Sequence, residues 1–251
     1  MADIWCDANR PLKPYVRRLV TSVCGKAKQN VIMFPASKAH DVRAFLDAGV
    51  LTKKTALTAI EYDPKIATQM WVSLFNLGMA RKTKVHRGEA HTLKVSKPVD
   101  LAFLDFCGPG TIEEMDWIHY LVPNITGPTS DVIFTFKANN RGAGYFADYQ
   151  KRMIGTPAFR EELALIRRTP TWKVDLKKNV SVCQSTEPSL RALACVRLAL
   201  RNSFSGFDFK VQSAIYRDLD LGKGTTQGSR EMLLVHFSAF RKTDSNVLGW
   251  C

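Results

Sequence analysis

The stretch T-A-L-T-A-I-E-Y-D-P, Thr55 to Pro64, sets the fold. Thr55 to Tyr62 is mostly apolar and reads as a short strand buried on both faces. Asp63 then supplies a capping carboxylate and Pro64 the fixed φ of a first helical residue. The chain therefore turns from strand into helix within two residues. Ile66, Met70, Leu74 and Leu77 follow at helical spacing and give that helix one apolar face. A buried strand that passes straight into an amphipathic helix is half of a β-α-β unit and calls for parallel neighbours.

Those neighbours lie on either side. Upstream, Pro14 to Cys24 reads as a helix closed by Gly25, Asn30 to Phe34 as a strand, and Ala39 to Ala48 as a helix stopped by Gly49. Downstream, Lys84 to Gly88 is a third strand and Val99 to Phe106 (V-D-L-A-F-L-D-F) a fourth. Thr111 and Glu114 have capping-box spacing for a helix running to Leu121, and Asp131 to Lys137 is a fifth strand. Residues 142–169 read as helical, with Thr156-Pro157 as a helix start. A short strand is expected near Val180 to Cys183. Ser189 to Asn202 is an amphipathic helix whose Arg191, Arg197 and Arg201 fall off its apolar stripe. Phe207 to Tyr216 and Glu231 to Phe240 form a late hairpin around the polar loop Leu221 to Ser229.

This order predicts an α/β fold: a doubly wound, mostly parallel seven-stranded sheet with helices on both faces and an antiparallel C-terminal hairpin. Residues 1–251 read as one domain, with 1–29 an N-terminal helical segment and 142–206 a helical insertion before the hairpin.

Composition narrows the partners. Lys and Arg total 36 against 23 Asp and Glu, a net charge of +13. That balance favours a polyanion, and nucleic acid is the expected one. The basic residues sit in several clusters, among them Arg17 and Arg18, Lys26 and Lys28, and Arg81, Lys82, Lys84 and Arg87, so a folded basic face is expected. The six cysteines form no C-x-x-C pair, so no metal site is expected. No signal peptide or membrane span is apparent, and reduced thiols in a cytoplasmic compartment are the expectation.

A doubly wound sheet binds its ligand beyond the carboxyl ends of its strands, where strand order reverses. The residues expected there are Pro35, Ala36 and Ser37, then Glu61, Glu89, Asp105 and Lys137. Acids on successive strand ends suit a ligand carrying a ribose diol, an exocyclic amine and an ammonium. His86 and His91 flank Glu89 without a third ligand at metal spacing, and Trp71 and Trp117 read as core.

In this order the motifs resemble those of the class I S-adenosylmethionine-dependent methyltransferases. A-I-E-Y-D-P (Ala59 to Pro64) is similar to the family's second motif, whose acid holds the cofactor ribose. H-R-G-E-A (His86 to Ala90) is similar to the third, beside the adenine. L-A-F-L-D-F-C-G-P-G (Leu101 to Gly110) is similar to the fourth, facing the reacting methyl. The resemblance implies S-adenosylmethionine as cofactor and Pro35, Ala36, Ser37, Glu61, Tyr62, Glu89, Ala90 and Asp105 as its contacts. One departure stands out: the family's first loop is glycine-rich, whereas F-P-A-S-K-A-H (Phe34 to His40) has none. Glycines there let the backbone approach a ligand without Cβ clashes. A catalytically inactive nucleic-acid-binding protein with a degenerate pocket is therefore the alternative reading.

A finer resemblance concerns the acceptor. RNA ribose 2′-O-methyltransferases carry a Lys-Asp-Lys-Glu set, and Asp105, Lys137 (in F-T-F-K-A) and Glu231 (in G-S-R-E-M) match three of its members. Lys13 is the candidate for the first, with Lys26 and Lys28 as rivals. This implies catalysis by Asp105, Lys137, Glu231 and Lys13 on RNA, with room for a protein partner and none for a membrane. A cytosine-type role for Cys107 is disfavoured, because Phe106 rather than proline precedes it. Tyr145, Phe146 and Tyr149 are candidate base-stacking residues. The worn first motif suits a viral protein acting in a host cytoplasm.

Overall fold

The computed structural model describes residues 13–106, 111–121, 124, 130–137, 151–168, 187–203, 207–219 and 229–241. Its strands are β1 (Asn30–Met33), β2 (Ala56–Ile60), β3 (Thr83–His86), β4 (Leu101–Asp105), β5 (Ser130–Lys137), β6 (Phe207–Leu219) and β7 (Ser229–Arg241). They form one sheet in the order β3-β2-β1-β4-β5-β7-β6. The first five are parallel, while β7 runs antiparallel to both β5 and β6. Strand order reverses between β1 and β4. The expected doubly wound sheet and antiparallel hairpin are both present.

Helices α1 (Lys13–Val23), α2 (His40–Asp47) and α3 (Pro64–Asn76) cover one face. Val16, Val20, Val42, Phe45, Met70 and Leu74 pack there against Met33, Leu57, Phe103 and Ile133. Helices α4 (Ile112–Leu121), α5 (Pro157–Arg168) and α6 (Glu187–Ser203) supply the other core. Trp117, Phe159, Leu163, Leu193 and Val196 meet Leu104, Phe134, Phe136, Val235 and Phe237 in it. Alternate strand residues feed opposite cores, as a two-sided sheet requires.

Local chemistry sets the helix starts. The Asp63 carboxylate accepts from the amides of Lys65 and Ile66, with Pro64 at the first position of α3. Thr111 and Glu114 form the reciprocal capping box, at 3.1 and 2.8 Å. The hairpin is longer than the sequence pattern suggests, because ladder pairing continues out to Leu219 and Ser229. Trp71 corrects an expectation. It stands beside the apolar stripe of α3, not in it, and is 41% exposed, whereas Trp117 is buried. The expected strand near Val180 to Cys183, Cys107, and the aromatic cluster of Tyr145, Phe146 and Tyr149 lie outside the described residues.

The amino-terminal edge of the sheet is tied by charge. The Asp100 carboxylate accepts from the amides of Gln29 and Asn30, each at 2.8 Å. Buried Lys28 pairs with Asp131 at 2.8 Å, and His236 reaches the other Asp131 oxygen at 2.7 Å. Burial raises the Asp131 carboxyl, but His236 and Lys28 outweigh it and hold the group below its ordinary value. Lys28 is thereby excluded as a rival to Lys13, since it works at the end of the sheet opposite the candidate site. Lys26 donates instead to the Ala48 carbonyl. No described helix is long and apolar enough to cross a membrane.

Between α5 and α6 a second buried acid, Glu162, is held by Arg197 and by Arg201 at 2.7 Å. Two of the three arginines off the α6 stripe, Arg197 and Arg201, therefore clamp a neighbouring helix. Arg197 is nearly enclosed while the Arg201 side chain is 52% exposed. Arg197→Met should cost about 3 kcal/mol in urea unfolding, because it leaves a buried charge half-compensated. Arg201→Met should cost about 1 kcal/mol or less. Equal losses would contradict the clamp.

Candidate active site

At the carboxyl ends of β1 to β4 lies a cleft of about 310 Å³. Its walls come from the loop after β1 (Phe34 to Ala39), the end of β2 (Ile60 to Tyr62), the turn after β3 (Gly88 to Ala90), and Asp105 and Phe106 at the end of β4. Lys13 and Arg17 of α1 close one side and Glu114 of α4 another. The cleft sits at the point of strand reversal, where this topology leaves a crevice.

Two ion pairs line it, with Lys13, Arg17 and Asp41 buried and Asp105 partly so. Lys13 and Arg17 stand one turn apart on α1, so both face the sheet. Lys13 pairs with Asp105, and Arg17 donates to Asp41 at 2.5 Å. Thr135 of β5, the register partner of Asp105, donates its hydroxyl to the second Asp105 oxygen at 2.5 Å. Burial raises the Asp105 carboxyl, but Lys13, Thr135 and Arg17 together bring it below the usual range. Asp41 goes the other way: burial dominates, Asp105 adds repulsion, and the carboxyl is raised despite Arg17. Glu114 is also raised by burial, with Glu89 and Glu113 adding to it.

The β1–α2 loop resolves the missing glycines. Ala36 and Ala39 adopt φ of 53° and 49°, the left-handed region that glycine favours. The turn therefore keeps a glycine-type path with alanines on it, at roughly 1 kcal/mol of strain each. The Ser73 hydroxyl of α3 donates to the Ser37 carbonyl at 2.8 Å and pins the turn. Such strain persists where the surroundings over-determine it, commonly at a site. Nearby, the Asp63 amide donates to the Glu61 carboxylate at 2.9 Å and orients it at the end of β2. Phe106 stacks on Phe136 at 4.9 Å and meets Phe34 edge-on, which backs the cleft with rings.

The sequence-derived residues Lys13, Pro35, Ala36, Ser37, Glu61, Tyr62, Glu89, Ala90 and Asp105 all line this cleft. Lys137 and Glu231 are not among its lining residues. Lys137 is half-buried at the end of β5, two residues past Thr135 and on the same face of the strand, about 6–7 Å further along. Glu231 lies in β7 beside Met232, the register partner of Lys137. His86 Nε2 meets the Thr92 hydroxyl at 2.9 Å, and no group of three potential metal ligands converges among the described residues. Sequence reading missed Arg17, Asp41 and Glu114. Of these, Arg17 carried a signal, four residues after Lys13 on one helix face.

No family model and no curated protein matches this chain. Solved structures do align with it. One is the O-methyltransferase TomG from Streptomyces achromogenes in complex with S-adenosylmethionine: 13% identity, 94% of this chain, 82% of that one, TM-score 0.48. Another is an S-adenosylmethionine-dependent O-methyltransferase from Thermotoga maritima, with 12% identity, coverage of 92% and 67%, and TM-score 0.45. A third is a precorrin 8W decarboxylase from Methanobacterium thermoautotrophicum, with 14% identity, coverage of 89% and 88%, and TM-score 0.44. Such scores are too low to carry function. The strand order and the cleft residues carry the reading instead.

Two outcomes follow from the geometry. Ala36→Gly should stabilise the fold by about 1 kcal/mol in urea unfolding by releasing left-handed strain. Ala39→Gly should come closer to neutral, since it also removes a fully buried methyl worth about 0.8 kcal/mol. A loss from Ala36→Gly would contradict the strained turn. Because the folded Asp105 carboxyl is lowered, its stabilisation is present above the ordinary aspartate pKa of about 4 and lost as pH falls through its folded value. The stability deficit of Asp105→Asn should accordingly be full at pH 7 and shrink as the pH is taken below about 4. A deficit that does not change with pH would contradict the pairing.

Proposed function

We propose that the chain is an S-adenosylmethionine-dependent methyltransferase acting on nucleic acid, with the ribose 2′-hydroxyl of RNA as acceptor. The observation that carries this reading is the cleft at the strand reversal, which combines an oriented acid on β2, a glycine-type turn after β1 and a paired aspartate ending β4.

The residues present fit the cofactor. Glu61 would accept its ribose hydroxyls, and Glu89 and Ala90 would border the adenine. Ile60, Tyr62 and Ile66 offer the apolar wall that a purine needs. The backbone of Pro35 to Ser37, in its glycine-type turn, would meet the methionine end. Asp105, paired with Lys13, would border the methionine end. When bound, S-adenosylmethionine supplies an electrophilic methyl on a cationic sulfur.

The chain's own groups must then position and deprotonate the acceptor. A ribose hydroxyl is a poor nucleophile, and a desolvated lysine can take its proton only from the neutral state. Lys137 stands on β5 two residues beyond Thr135 and on the same face of the strand, and would be the group that takes the proton. Lys13 neutralises Asp105 and fixes its orientation, so that pair holds the site's shape. The net charge of +13 supports a polyanionic acceptor.

The test is transfer of labelled methyl from S-adenosylmethionine to RNA, followed by alkaline hydrolysis. A 2′-O-methyl blocks alkaline cleavage, so label in alkali-stable dinucleotides is the expected result. Lys137→Ala should lower the rate at least about 100-fold. Label in mononucleotides would assign base methylation instead, and absence of label from RNA would overturn the acceptor.

A further inference from the structure

From Pro64 to Gly88 the chain has no acidic residue, while Lys65, Arg81, Lys82, Lys84 and Arg87 are all basic. This stretch builds α3 and the edge strand β3, which pack against each other at one border of the sheet. All five basic residues are exposed, and no ion pair among the described residues engages them. Lys53 adds a further cation, its chain passing over Gly78 just beyond α3.

The same surface carries rings. Trp71 (41% exposed), Val72 (54%) and Phe75 (68%) stand on the solvent side of α3. Trp71 and Phe75 are four residues apart, so they are neighbours on one helix face. Tyr62, 69% exposed, stands where α3 begins and also lines the cleft. Exposed apolar side chains of this size are ordinary when scattered, and a contiguous group signals a partner. Cations could serve only to guard the β3 edge. That role does not explain why the helix beside it presents rings and no carboxylate.

We propose that the solvent face of α3 and the turn leading into the β3 edge form a docking surface for single-stranded RNA, with bases stacking on Trp71 and Phe75 and phosphates facing Arg81 and Lys82. Charge complementarity chooses this occupant over an apolar protein surface, because a wholly basic rim repels a second copy of a chain of net charge +13. Stacking on exposed rings chooses single strands over duplex, whose bases are already stacked. Tyr62 marks the path from this surface to the cleft. The proposal deepens the reading of an RNA substrate and rests on it.

Fluorescence anisotropy with a fluorescein-labelled oligouridylate of about 12 nucleotides tests it, without cofactor and over a salt series. Trp71→Ser/Phe75→Ser should weaken binding by at least about tenfold, since each lost stack is a substantial part of the affinity. Both side chains are exposed, so circular dichroism should show an unchanged fold. Arg81→Gln/Lys82→Gln should lower the log–log salt slope by about 1.4. An aromatic variant that binds as tightly as the wild type overturns the surface while leaving an RNA substrate intact. Failure of the wild type to bind overturns both. A concentration-dependent dimer that the aromatic variant dissociates in ultracentrifugation assigns the face to a second copy and also overturns the proposal.

Discussion

The site depends on four charges that would be costly to bury singly. Lys13 and Arg17 on α1 enter the protein only because Asp105 and Asp41 meet them, and the acids lie at the ends of β4 and α2. Removing one partner from such a set leaves an uncompensated charge in a dry environment, a loss of about 3–5 kcal/mol. The quartet thus fixes how α1 lies across the carboxyl ends of the strands, and with it one wall of the cleft. The two acids respond in opposite directions, Asp105 lowered and Asp41 raised, because two cations and a hydroxyl surround the first while burial dominates the second.

The two ends of the sheet divide their labour. At the amino end, Asp100 and the Lys28–Asp131–His236 group close the structure with paired charge. At the carboxyl end, strand reversal sends the connections after β1 and β4 to opposite faces of the sheet, and acids, rings and a strained turn face the opening between them. The left-handed Ala36 and Ala39 give the glycine-free loop the backbone path of a glycine-type turn.

Much of this was legible in the chain. Asp63-Pro64 and Thr111-Glu114 act over a few residues, so their spacing alone announces the helix starts. The cleft acids were legible because a doubly wound sheet puts its strand ends in one place. Other features were hidden for physical reasons. Lys28 and Lys13 look alike in sequence, and only the distant Asp131 and Asp105 separate them. Residue type argues against left-handed alanines, so no pattern could reveal them. Trp71 neighbours a helical stripe by one position, where a small rotation decides between core and solvent.

The central claim is that this cleft holds S-adenosylmethionine, and calorimetric titration of S-adenosylmethionine and S-adenosylhomocysteine into the purified protein tests it most directly. The account predicts micromolar binding of both, abolished by Glu61→Ala, which removes the acid assigned to the ribose while leaving the buried quartet intact. No heat at millimolar ligand, or equal binding by Glu61→Ala, would contradict it.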